Sequence, residues 1–182
     1  MSQSRDRLAA DALAAAGGRS ATATNGKPVE SVWDFPRPPV VEVVDWRICV
    51  IHNRVTIVDA PRCVRVLETS QAPAYYVADE FVDKRHLQPA SRVSLCEWKG
   101  SARYADVVVG DGLAAVEACW MYPDPTPRFE PIRGHWAFYA QLVDECWVDD
   151  ERVKPNDGNF YGGWITANVA GPFKGAAGTL FW

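Results

Sequence analysis

The chain has 182 residues, a formal net charge of −4 and a hydrophobic content of 48%, with eight Trp, six Tyr and seven Phe. That length fits one domain with tails, large enough to bury a core in which big aromatic side chains carry much of the packing. The acidic balance and the scattered arginines exclude an electrostatic platform for nucleic acid, and no apolar stretch reaches the roughly 20 residues of a membrane-spanning helix.

Five widely spaced cysteines without a leader-like apolar segment point to a reduced, cytoplasmic setting. No CxxC occurs and the three histidines are far apart, so the spacing of a short-range zinc site is missing. A zinc assembled from distant residues stays open. No metal ligands and no cofactor are assigned.

Residues 1–30 read as a mobile tail, with helix propensity over 8–16 ended by Gly17 and Gly18. Residues 31–155 form the expected single β-rich domain. It is entered by a Pro-rich arm in which Pro36, Pro38 and Pro39 enforce extension and lay Trp33 and Phe35 on the domain. β-branched runs begin at Val40. Residues 47–51 and 55–58, either side of the polar corner His52-Asn53-Arg54, predict a hairpin. Residues 64–68 then fit a further strand or a short helix.

Residues 78–87 are the expected helix, with Asp79 as its cap, Phe81 and Val82 on its buried face and Pro89 as its end. Residues 104–109, the turn Gly110-Asp111-Gly112 and residues 113–120 repeat the hairpin pattern. Residues 120–127 form a rigid Pro-rich loop. Residues 135–139 then predict a strand with His135, Ala137 and Tyr139 on one face and Trp136 and Phe138 on the other. Cys146, Trp147, Val148 and Val153 flank the turn of a last hairpin. Residues 156–182 are aromatic and Gly-rich, so they are expected to dock on the domain.

Five separated motifs carry a family resemblance: Val66-Leu67-Glu68-Thr69, Tyr75-Tyr76, Cys96-Glu97-Trp98-Lys99-Gly100 with Tyr104, residues 120–125, and residues 134–139. In this order, over about residues 40–155, they resemble the uncharacterised family catalogued as domain of unknown function 427. The resemblance implies a mainly β fold, two antiparallel sheets meeting at an angle (β-tent, Mss4-like). Relatives of that fold, methionine sulfoxide reductase B and the thalidomide-binding domain of cereblon, commonly carry zinc on paired CxxC motifs that this sequence lacks. The family label includes a suggestion of nucleotidyl transfer. The chain has neither a Gly-rich phosphate loop nor paired metal-binding carboxylates to support it.

The densest chemistry lies at residues 96–104. If residues 96–99 are extended, Cys96 and Trp98 point one way and Glu97 and Lys99 the other. Lys99 with Glu97 or Glu68 is a candidate acid/base pair, which burial would shift toward neutral pH, against the alternative of a structural ion pair. Cys96 is a candidate nucleophile if His135 reaches it, against a plain buried thiol. Tyr75, Tyr104, Trp120, Tyr122 and Tyr139, with Glu97 and Trp98, are candidate ligand-binding residues, against ordinary core packing.

The expectation is a small-molecule pocket between the sheets. It would serve general acid/base chemistry on a small polar metabolite, with Cys96, Lys99, His135 and Glu68 as catalytic candidates. The alternative is a non-catalytic ligand-sensing or protein-interaction module using Trp33, Phe35, Tyr161 and Trp164. Among partners, a small molecule is expected, nucleic acid and membrane are not, and a homodimer is compatible with the sequence.

Overall fold

A computed structural model describes residues 21–112, 114–158 and 160–182. The expected helix over residues 8–16 lies outside them, as does most of the expected tail. The strands in the first half are β1 Glu30–Ser31, β2 Val40–Val44, β3 Ile48–His52, β4 Val55–Ala60, β5 Cys63–Leu67, β6 Ala74–Tyr76 and β7 Leu87–Cys96. The second half adds β8 Gly100–Val107, β9 Ala115–Met121, β10 Trp136–Phe138, β11 Glu145–Val148 and β12 Glu151–Arg152. Three short pieces follow, β13 Lys154–Pro155, β14 Trp164–Ile165 and β15 Val169–Ala170.

The protein is mainly β, as expected. Antiparallel sheets of order β10-β9-β8-β7 and β2-β5-β6 are joined edge to edge. Val77 and Trp136 exchange backbone hydrogen bonds, both of 2.8 Å, across that seam. A further antiparallel sheet of order β12-β11-β3-β4 packs on one face of this assembly.

The β3–β4 hairpin turns at Asn53 and Arg54, with φ of 46° and 65°. Positive φ at both central residues is what a tight hairpin with the native strand twist requires. Residues 64–68 resolve to strand, since every residue of β5 is buried between its neighbours β2 and β6.

Pleat parity divides the side chains of the joined sheets into two clusters. Tyr75, Val77, Val107, Cys119 and Phe138 face Ile48, Val50, Ile57 and Val58 in an aliphatic core. Their neighbours Tyr76, Tyr104, Trp120, Ala137 and Tyr139 gather on the opposite face with Val64 and Val66. The alternation expected for residues 136–139 is therefore correct from Trp136 to Tyr139.

Residues 78–87 are not one helix. They form two 3₁₀ turns, Asp79–Phe81 and Lys84–His86, separated by Val82 in a bridge with Val58. The Asp83 amide donates to the Ile57 carbonyl at 2.8 Å, so sheet pairing wins over helical propensity. Asp79 does not cap. Its carboxylate accepts from the Trp136 indole at 2.8 Å and from Lys84. Pro89 ends no helix either, because it sits inside β7, where an edge strand tolerates the missing donor.

Both arms fold back on the domain. Trp164 is buried, stacks on Tyr75 with centroids 5.3 Å apart and donates to the Phe138 carbonyl at 2.9 Å. β1 pairs in parallel with β15, and Trp33 donates to the Pro172 carbonyl at 2.9 Å. Arg65, 3% exposed, fixes the entry arm. Its Nη atoms donate to Glu30 at 2.6 and 2.7 Å and its Nε to Glu42 at 2.5 Å, with the guanidinium 4.6 Å from the Trp46 ring centre.

Candidate functional site

The aromatic cluster on the outer face of the joined sheets surrounds a cavity of about 580 Å³. Side chains from both joined sheets line it, on the face away from the β12-β11-β3-β4 sheet and not in the space between two packed sheets. Residues 97–99 are a turn and not a strand, since Cys96 pairs with Gly100 across the β7–β8 hairpin. The expected split of Cys96 and Lys99 onto opposite faces is thereby corrected: both line the cavity, together with Glu97 and Trp98.

The Pro-rich loop that follows β9 holds this turn in place. Thr126 donates through its amide to the Lys99 carbonyl at 3.2 Å and through its hydroxyl to the Trp98 carbonyl at 2.6 Å. Gly100, at φ 96°, adopts the left-handed backbone that lets the hairpin close against Asp124.

Lys99 extends from this turn over aromatic rings, its Nζ 5.8 Å from the Tyr122 centroid and 5.9 Å from that of Phe129. It makes no ion pair with a carboxylate among the described residues. Burial works against its charge, but Tyr76, Cys96 and Glu68 around it more than offset that, so its pKa is raised above the ordinary lysine value. Lys99 is therefore a cation at neutral pH. The expected shift toward neutrality runs the other way.

Burial raises the phenol pKa values of Tyr76, Tyr122 and Tyr139, keeping these groups protonated as hydrogen-bond donors. Trp120 is packed between them. Its centroid lies 4.5 Å from that of Tyr139 and its indole donates to the Tyr76 hydroxyl at 3.3 Å. The Trp98 Nε1 is buried without a partner.

A bulge sets the wall on the β7 side. Glu117, at φ 52°, leaves the β9 ladder, donates its amide to Asp106 at 2.7 Å and pairs with Arg92 at 2.9 Å. The Arg92 guanidinium lies 4.3 Å from the centre of the Tyr104 ring, and the Tyr104 hydroxyl is 2.8 Å from that of Ser94. On the far side, Glu68 pairs with Arg37 at 3.4 Å.

Phe160, Tyr161, Gly162 and Gly163 form the outer wall. The arm passes so close that a Cβ on Gly162 would fall 2.2 Å from the Trp120 ring.

Of the residues expected from sequence, the cavity collects Glu68, Cys96, Glu97, Trp98, Lys99, Tyr104, Trp120, Tyr122 and Tyr139. His135 and Tyr75 are not among them. His135 precedes β10, its Nδ1 3.0 Å from the Arg133 carbonyl, and lines a separate groove with Arg62 and Phe81. It is therefore not a base for Cys96. Tyr75 has the parity of the aliphatic core and stacks on Trp164, while its neighbour Tyr76 takes the cavity face.

The sequence did not single out Tyr76 as a cavity residue, nor Arg37, Arg92, Lys174 and the 160–163 wall. The two adjacent glycines after Phe160 and Tyr161 were a readable sign of close backbone approach.

A family model described as Domain of unknown function (DUF427) matches residues 40–149. The chain belongs to that family. The resemblance drawn from the five motifs is thus correct. No curated protein matches the chain. The match to the DUF427 model covers both sheets and most of the aromatic wall, whereas Arg37, residues 160–163 and Lys174 lie outside it. Among the described residues no three His, Cys, Asp or Glu side chains come together as metal ligands, and no helix is long and apolar enough to cross a membrane.

Proposed function

We propose that this protein binds a small polar molecule in the aromatic cavity and that the same side chains equip it for general acid/base chemistry. The observation that carries the reading is Lys99, a cation turned into a cavity without a carboxylate ion pair. A volume of about 580 Å³ falls within the range of roughly 300–1,000 Å³ typical of small-molecule sites. Lys99 and the protonated tyrosines supply donors to a group gaining negative charge, and Glu68 supplies the proton acceptor. Cys96 lines the same space in hydrogen-bond contact with Lys99 and without a histidine beside it.

The other reading, a protein-interaction module built on the arms, has less support. Phe35 and Trp164 are buried within the chain and Tyr161 is half-buried at the cavity wall. Trp33 stays partly exposed but packs on Trp182 with centroids 5.5 Å apart.

Ligand-observed NMR with a mixed library of anionic, cationic and neutral fragments tests the proposal on wild type and Ala74→Phe, which fills the cavity from β6. Hits that vanish in Ala74→Phe support it. A wild type that binds nothing, or hits indifferent to the substitution, would overturn it.

A further inference from the structure

The cavity's charge and its walls narrow the class of ligand, an inference that rests on the proposed binding role. The chain as a whole is acidic, at −4, yet four cations line this space, Arg37, Arg92, Lys99 and Lys174, against the carboxylates of Glu68 and Glu97. Arg92 is held by Glu117, which is not a cavity residue, and the Lys174 ammonium donates to the Trp182 main-chain oxygen at 2.8 Å. Lys99 differs from these in that its side-chain hydrogen bond goes to the Cys96 thiol, a cavity neighbour, and no carboxylate ion pair holds it among the described residues.

The walls are flat rings, with Trp120 against Tyr139 and the Gly162 backbone laid on Trp120. Flat walls favour a flat ligand, through offset or edge contacts between rings.

We propose that the cavity takes a small planar organic anion, its ring against the Trp120 wall and its carboxylate or phosphate group at Lys99. Residues 160–163 bear on how large that ring can be, since they line the cavity and the Gly162 backbone approaches the Trp120 ring.

Isothermal titration of the full chain with one ring in several charge forms tests this: 2-naphthoate, 2-naphthyl phosphate, 2-naphthamide and 2-naphthylmethylamine, with cyclohexanecarboxylate as a non-planar acid. The expected result is binding of at least one naphthyl anion, with the amide and the non-planar acid weaker by tenfold or more and the amine weaker still. Comparing the carboxylate with the phosphate identifies the head group. Lys99→Met should bring the anion down to the level of the amide, and Lys99→Arg should retain most of its affinity.

Amide or amine binding as tight as the anion would overturn this inference and leave the cavity reading standing, as would an anion affinity unmoved by Lys99→Met. The wild-type charge series decides the matter even if the variant does not fold. Failure of all five probes, with no library fragment binding in a manner sensitive to Ala74→Phe, would sink both.

Discussion

Two sequestered cations make the most instructive comparison in this molecule. Arg65 and Lys99 are both drawn out of water and both lie near aromatic rings, Trp46 in one case and Tyr122 and Phe129 in the other. Arg65 has its charge answered twice over, by Glu30 and Glu42. Lys99 faces a cavity and has no carboxylate in contact. The first arrangement is complete and ties β1 and β2 to β5. The second lacks a carboxylate, which is the arrangement that the proposed ligand role requires.

The comparison breaks first at Arg65. Replacing it with Met leaves the half-buried Glu30 and the exposed Glu42 without their donor, and since a hydrogen bond to a charged group contributes roughly 1.5–3 kcal/mol, the loss should be about 3 kcal/mol. Urea unfolding should show that loss, with the entry arm released. A loss below about 1 kcal/mol would mean that the network is no more than a surface ion pair.

The next largest effect is expected at Gly162, where the close approach of the arm defines the cavity. Gly162→Ala puts a methyl group into the Trp120 ring, so the arm must lift, and overpacking of this kind costs about 1–3 kcal/mol. Hydrogen exchange at residues 160–163 should quicken while the β3–β4 amides stay protected. An unchanged exchange pattern would show that the wall does not depend on this contact.

These effects also mark what could be read from the chain. The hairpins and the face alternation from Trp136 to Tyr139 were legible because strand parity is a local property with a period of two. Tyr75 and Tyr76 were legible as a pair but not apart, since parity alone does not say which face is core. That choice came from the β3–β4 side chains packing on Tyr75. The 78–87 segment misled because Val82 gains a bridge to Val58 that no local pattern announces. Cys96 and Lys99 were found by their chemistry but given the wrong geometry, because the turn between them is fixed by Thr126, 27 residues beyond Lys99. His135 failed as a partner for the opposite reason, being near in pattern and turned to another groove.

At Lys99 the stability effect should be small. Burial and the surrounding groups act on its charge in opposite directions, and Met fills a similar volume with an apolar side chain, so Lys99→Met should stay within about 1 kcal/mol of wild type or exceed it. The pair of unfolding experiments then separates the two cations, with Arg65 acting on the fold and Lys99 on the ligand. A large loss at Lys99 would make it a structural cation like Arg65.

The finest distinction is in the pH profile. The folded-state pKa of Lys99 is raised, so the stability its charge contributes, relative to its neutral form, is fully present below the unfolded value of about 10.4 and is lost as pH rises through the folded value. The charge available to an anionic ligand follows the same course. Affinity for such a ligand should therefore stay level between about pH 7 and about pH 9, and fall only above the ordinary lysine range. A lysine tuned as a neutral base would behave differently, with anion affinity declining through neutrality as the ammonium is lost. Titrating the ligand at about five pH values across that interval decides which description holds. A midpoint near neutral would overturn the account of Lys99 as a permanently charged anchor, because none of the neighbours raising its pKa could then outweigh its burial.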